Sequence, residues 1–195
     1  DRLFVLSQYV LPKQALTALA GVGASARGGA LTTRFIRWFV GRYGVNMAEA
    51  ANPDIASYPT FNEFFSRPLK PGARPLSDAD LISPVDGAIS QFGPIRRDQI
   101  FQAKGHSYSL SDLLASEVDA RAYEGGSFAT VYLSPRDYHR VHMPFAGRLV
   151  KSVYVPGELF SVNPTTARGV DRLFARNERV VCVFDGDHGP FVMVL

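Results

Sequence analysis

Apolar residues in the first quarter of the chain recur at the spacing of an α-helix, whereas those further on gather in short runs typical of strands. Leu3, Phe4, Leu6, Tyr9 and Val10 put a stripe on a short helix that Pro12 limits. Leu16 and Leu19 continue in a second piece, which Gly21 and Gly23 are expected to end. After the Gly28-Gly29 break, Leu31, Phe35, Trp38 and Phe39 fall on one face of a third helix, while Thr33, Arg34, Arg37 and Arg42 lie mostly elsewhere. Residues 51–60, Ala-Asn-Pro-Asp-Ile-Ala-Ser-Tyr-Pro-Thr, read as a linker. Thr60 and Glu63 then form a capping box for a short helix through Phe64 and Phe65, which Pro68 stops.

Beyond that point the character changes to β. The runs 89–92, 127–133, 149–155 and 180–184 are bounded by Gly, Pro or Asp, as antiparallel strands joined by loops would be. A small helix is predicted to begin at Ser109, with Asp112 completing its cap. Ser134, Pro135 and Asp137 have the spacing of a helix start, so a strand ending near Leu133 should lead into a single helical turn before Pro144 forces extension again. The pattern therefore predicts an α+β fold, with a helical N-terminal region over residues 1–50 on a β-rich, mainly antiparallel domain over residues 51–195.

The composition of the 195 residues, 46% hydrophobic and 20% charged, is that of a folded protein, with no repeat or low-complexity tract. Charge is unevenly placed. Residues 1–45 hold six bases against the single acid Asp1, a net +5, while residues 46–195 hold fifteen bases against seventeen acids, a net −2. Aromatics on one helix face with arginines around them suit an interfacial helix, because rings enter the headgroup boundary and guanidiniums meet anionic phosphates. No apolar stretch reaches the roughly 20 residues needed to span a bilayer. Cys182 is the only cysteine, which excludes an intrachain disulfide and a Cys-based zinc cluster, and its setting is that of a small hydrophobe in a strand.

Two places concentrate residues able to do chemistry. In Ser83-Pro84-Val85-Asp86-Gly87 an acid sits in a turn at the entrance to a strand; taken alone, Asp-Gly is a turn signal. In the stretch from Tyr132 to Pro144, His139 and His142 lie three residues apart at a strand-to-loop junction and can both face one cleft. Two imidazoles can also ligate zinc, but a tetrahedral site needs a third protein ligand. The helical His-Glu-x-x-His arrangement is absent, and His106 and His188 lack metal-like spacing, so no metal site is expected.

Six co-linear motifs carry a resemblance. They are Phe64-Phe65-Ser66-Arg67-Pro68-Leu69 with Arg74-Pro75; Pro84-Val85-Asp86-Gly87; Lys104-Gly105-His106-x-Tyr108-Ser109-Leu110; Tyr132-Leu133-Ser134-Pro135-x-Asp137-Tyr138-His139-Arg140-x-His142-x-Pro144; Pro156-Gly157-x-Leu159-Phe160-Ser161-Val162-Asn163; and Phe174-x-Arg176-Asn177-Glu178-Arg179. Together they resemble the bacterial phosphatidylserine decarboxylases, in that family's order and over nearly the whole chain.

The resemblance implies a pyruvoyl-dependent carboxy-lyase that makes phosphatidylethanolamine and CO2 through a Schiff base to a self-generated pyruvoyl group, after serine-dependent autocleavage of a zymogen. The family cuts itself inside a Leu-Gly-Ser-Thr motif, which this sequence lacks. The chain is accordingly expected to be most of the large subunit and inactive alone, with the pyruvoyl serine on residues beyond it. His142 matches the family's base for maturation and Asp86 its orienting acid, while His139 matches the position proposed to protonate the carbanion. Tyr132, Tyr138 and Asn163 are candidates for binding the serine head group. Expected partners are phosphatidylserine, membrane lipids, the small pyruvoyl-bearing subunit and a second copy in a homodimer, with no nucleic acid. The expected place is the cytoplasmic face of the bacterial inner membrane, held peripherally. Two competing readings are a non-catalytic anionic-lipid-binding module, which explains the N-terminal charge but not the histidines, and a zinc hydrolase.

Overall fold

The computed structural model describes residues 2–103 and 105–195, leaving aside the side chain of Arg2; Asp1 of the N-terminal charge count and Lys104 of the third motif lie outside the described residues. Its elements are helices α1 (Arg2–Val10), α2 (Lys13–Ser25), α3 (Ala30–Tyr43), α4 (Phe61–Phe65), α5 (Leu110–Leu114), α6 (Pro164–Gly169) and α7 (Leu173–Arg176), with strands β1 (Ala88–Pro94), β2 (Gln99–Ala103), β3 (His106–Ser109), β4 (Ser127–Tyr132), β5 (Gly147–Val155), β6 (Arg179–Gly186) and β7 (Gly189–Val194). This is a mixed α+β fold. The pairs β2–β3, β5–β6 and β6–β7 are antiparallel, and β1 pairs with β4. Among the described residues no helix is long and apolar enough to cross a membrane. The chain divides into two compact units, one of residues 1–13, 89–132 and 146–195, the other of residues 14–88 and 133–145.

In the first unit, Ile100, Tyr108, Leu110, Leu114, Val153 and Val181 form the main core, where the β2–β3 hairpin and α5 meet the β5–β6–β7 sheet. Neither β2 nor β3 follows from the apolar pattern. The chain enters β2 through a turn, closed by the Arg96–Gln99 bridge, in which Arg97 and Asp98 both have positive φ, and β2 carries the polar Gln102 at an interior position. Gln102 is 1% exposed, and its amide donates to the carbonyls of Ala167 and Val170 while its Oε1 accepts from Leu173 N–H. One side chain thus satisfies the end of α6 and the start of α7, two short helices that periodicity also misses.

The fifth and sixth motifs hold each other. Glu158 N–H donates to Arg176 O, Glu178 N–H donates to Glu158 O, and the Asn177 side chain bonds both backbone groups of Phe160. A Cβ on Gly157 would strike the backbone of residues 176–178, so only glycine allows this approach. Arg179 is buried and donates to four carbonyls, those of Asp112, Leu113, Ala175 and Asn177. α1 lies against the same region: Tyr9 stacks edge-on to Phe160, and Gln8 Oε1 accepts from Ser161 N–H. Leu3, Leu6 and Val10 face outward at 82%, 60% and 85% exposure.

The second unit is built on aromatics. Ile36, Phe39, Val45, Tyr58 and Phe64 form its core, with Phe61 and Phe65 packed against it. α2 runs on through Gly21 and Gly23 to Ser25, since neither glycine takes the positive φ that ends a helix, and none of its residues is buried. On α3 the expected single face splits. Leu31, Phe35 and Trp38 are exposed, whereas Phe39 turns inward beside Ile36, because it lies on the border of the stripe nearest the core. Residues 51–60 are no loose linker: Asn52 and Asp54 make capped turns, and Tyr58 is buried with its hydroxyl donating to Asn52 O at 2.6 Å. Thr60 caps α4 as its spacing with Glu63 predicts, accepting from Glu63 N–H, and Ser109 caps α5 in the same way through Asp112 N–H.

Replacing Gln102 by Leu keeps the volume but strands two carbonyls and one N–H in the core. Each orphaned buried group costs roughly 1–3 kcal/mol, so Gln102→Leu should lower the urea midpoint markedly, by about 3 kcal/mol of stability. An unchanged midpoint would contradict the structural role given to Gln102.

Candidate active site

All three residues singled out for catalysis lie in the second unit, and two backbone hydrogen bonds bring their segments together. Ile82 N–H donates to Pro144 O at 2.9 Å and His142 N–H donates to Pro84 O at 2.8 Å. The turn bearing Asp86 is thereby laid antiparallel along the stretch bearing His142, with Asp86 two residues beyond the partner of His142. Pro84 and Pro144 have no N–H to offer, and both serve here as acceptors.

The side chains then diverge. Asp86 accepts three hydrogen bonds from Arg74, at 2.9 and 3.1 Å from Nε and 2.6 Å from an Nη, and Arg74 also reaches Glu49 at 2.7 Å. The clustered carboxylates hold the arginine's proton more tightly than usual, the Asp86 hydrogen bonds contributing most. Glu49 is placed for this by two backbone bonds, Lys70 N–H to Glu49 O and Ala51 N–H to Pro68 O. In sequence nothing marked Arg74 as the partner of an acid twelve residues on, although it stands inside the first motif.

His142 has a different neighbour. Its ring is exposed, with Nε2 3.0 Å from the hydroxyl of Tyr138, and the two rings stack at 5.6 Å and 28°. Among the described residues its Nδ1 has no hydrogen-bond partner. When Nε2 donates to the tyrosine oxygen, Nδ1 carries the lone pair of a base facing open space. Tyr138, named as a head-group candidate, is itself buried, and through His142 it touches the centre of the site.

His139 sits a step away in a drier place. Its Nε2 lies 3.1 Å from Ser134 O, and since a carbonyl only accepts, Nε2 carries a proton and Nδ1 is the basic atom of the neutral ring. Burial pushes its pKa below the ordinary histidine value. The Ser134 bond and Asp137 act against that push, and Arg67 adds to it. The expected helical turn here is a plain turn, closed by Asp137 N–H to Ser134 O. Asp137 Oδ2 accepts from both the N–H and hydroxyl of Ser134, so half of the capping box forms without the helix.

A cavity of about 240 Å³ is lined by Glu49, Arg67, Arg74, Asp86, Arg136, Asp137 and Tyr138, among others. Of the remaining candidates, Tyr132 ends β4 in the first unit, and Asn163 caps α6 there by accepting from Thr165 and Thr166 N–H. Among the described residues no three of His, Cys, Asp and Glu come together as a metal site would require.

Known proteins resemble this chain throughout. The family model described as phosphatidylserine decarboxylase matches residues 61–195, and a second, described as PSD, matches residues 3–44. A protein of Azoarcus sp. (strain BH72) named phosphatidylserine decarboxylase proenzyme is 69% identical over 196 residues, covering 100% of this chain and 68% of the relative. Proteins of the same name from Dechloromonas aromatica (strain RCB) and Herminiimonas arsenicoxydans are 69% and 67% identical, again over 100% of the chain and over 70% and 67% of their own lengths.

Proposed function

The chain belongs to the phosphatidylserine decarboxylase family, and from that premise we propose that Asp86, His139 and His142 divide the work of maturation and turnover between them. The activity is decarboxylation of phosphatidylserine to phosphatidylethanolamine and CO2, following cleavage of a proenzyme. The observation that carries the division is that the two histidines differ in what holds them: His142 is exposed with Nδ1 open, while His139 is packed and keeps Nε2 on a carbonyl.

A serine hydroxyl becomes a nucleophile only when a base takes its proton. His142 Nδ1 suits that task for the serine of the cleavage motif, with Tyr138 fixing the ring through Nε2. Asp86 is the carboxylate that supports the resulting imidazolium. Its hydrogen bonds go to Arg74 in this geometry, so the role requires it to give up some of them as His142 gains charge.

The residues present also fit a pyruvoyl group. An open imidazole nitrogen, a tyrosine hydroxyl and a cavity beside them are polar but carry no metal-ligand set, which suits a neutral carbonyl held covalently by its own segment. Such a group supplies the carbonyl that binds the substrate amine and takes up the electron pair left by CO2. His139 takes up a proton at Nδ1 from solvent and then delivers it to the substrate carbon, returning to the neutral ring, with its orientation held throughout by the Nε2–H bond to Ser134 O.

Membrane association is part of the same proposal, with the cytoplasmic face of the bacterial inner membrane as the place. It is supported by the net +5 of residues 1–45 and by the outward-facing Leu31, Phe35 and Trp38 of α3. Pairing of two copies rests on the family resemblance.

Two experiments test these readings in the full-length protein. His142→Ala and Asp86→Asn should accumulate as uncut proenzyme, whereas His139→Ala should cut itself and then decarboxylate about a hundredfold or more slowly. Efficient self-cleavage of the His142 variant, or full turnover of the His139 variant, would show the roles misplaced. For the membrane, removing residues 1–45 is a poor test because Ile36 and Phe39 belong to the core. Leu31→Glu with Trp38→Glu leaves that core intact and should weaken binding to anionic liposomes several-fold, with the remainder lost as salt is raised. Unchanged liposome binding would refute the assignment of this face.

A further inference from the structure

Three consecutive residues at the end of α4 act on the segment that carries His139. The ring of Phe65 lies on the His139 imidazole, with centroids 4.0 Å apart and planes 25° from parallel. Ser66 O accepts from Arg140 Nε at 2.7 Å, anchoring the next residue of that segment. Arg67 is 3% exposed and lies over the Phe64 ring, so its charge stands in the wall against which His139 packs. Phe65 does not float: Phe61 stacks behind it at 5.6 Å and 26°, and Phe39 meets it edge-on at 6.1 Å.

The imidazole is therefore restrained in two independent ways. The bond from Nε2 to Ser134 O sets where the ring points within its plane, and the Phe65 face sets the plane. Only with both fixed does Nδ1 have one direction. We propose that Phe65 is a positioning residue for the proton transfer at His139, orienting Nδ1 and excluding water from one face of the ring. This inference rests on the assignment of His139 to turnover, and it gives the Phe-Phe-Ser-Arg motif a function distinct from filling the core.

The same packing has a signature in pH. The charged groups acting on His139 are Asp137 and Arg67, with Arg140 held against Ser66. Burial is the largest influence and disfavours the protonated ring. Removing Phe65 lets water reach the imidazole, so the His139 ionisation should move up towards the ordinary value.

The test uses the full-length enzyme with Phe65→Ala, Phe65→Leu and Phe65→Tyr, alone and combined with His139→Ala. Self-cleavage should be normal in all, since it does not use His139. Phe65→Ala and Phe65→Leu should lower kcat about tenfold to a hundredfold with little change in KM, the cost expected of a misdirected catalytic group. Phe65→Tyr keeps the flat face and should retain most of the activity. The ionisation in the pH dependence of kcat should rise in Phe65→Ala, and adding Phe65→Ala to His139→Ala should cost nothing further. Should Phe65→Ala fail to accumulate, Phe65→Leu, which keeps most of the packing volume, carries the same readings. A wild-type kcat and pH profile in the Leu variant, a Tyr variant as impaired as Leu, or full additivity with His139→Ala overturns the inference. A fully active His139→Ala instead defeats the assignment on which it rests.

Discussion

Two backbone hydrogen bonds, Ile82 N–H to Pro144 O and His142 N–H to Pro84 O, are the constraint on which the site depends. They join stretches about sixty residues apart in sequence, each made stiff by proline, and they are the reason an acid in a turn and a histidine in a loop share one locality. Arg74 joins Asp86 to Glu49 in a network of charge-assisted bonds partly open to water. Such a network orients a carboxylate more than it stabilises the fold, because screening by solvent limits what exposed ion pairs contribute.

The second dependence is aromatic. α3 presents Ile36 and Phe39 to the core and Phe35 and Trp38 outward. Ring contacts run from Trp38 to Phe35, to Phe61, to Phe65 and so to His139, with centroid separations of 5.5, 5.1, 5.6 and 4.0 Å. Flat rings have few rotamers and lose little freedom on packing, so a layered set of them makes a rigid support for an imidazole. The helix proposed to meet lipid and the histidine proposed to serve turnover thus belong to one packed layer of the second unit.

What could be read in the sequence follows what is local. The caps at Thr60 and Ser109 and the strands β1, β4, β5 and β6 announce themselves within a few residues, and the structure contains each of them. β2 and β3 do not, because the turn leading into β2 uses two non-glycine residues at positive φ and β2 includes the buried Gln102, whose purpose appears only when α6 and α7 lie over it. Phe39 falls on the exposed stripe of the helical wheel, which ranks hydrophobicity and carries no information on where the core is. The partners of Asp86 and His142 were out of reach for the same reason: Arg74 and Tyr138 are chosen by how the backbone folds, and the motifs show that these residues matter without showing to whom. The fifth and sixth motifs, read as one more sign of the family, turn out to be the two halves of a single backbone lock around Gly157 and Asn177.

In the proposed chemistry the reactive carbonyl is made from the protein's own serine, with His142 as the base that starts the process. The most direct measurement is the intact mass of the small subunit released from the full-length protein, together with its response to Edman degradation. The expected subunit has an N-terminal residue with the mass of a pyruvoyl group and resists degradation, because no free amine is present. A small subunit beginning with an ordinary, degradable serine, or an active enzyme that is never cut, would contradict it.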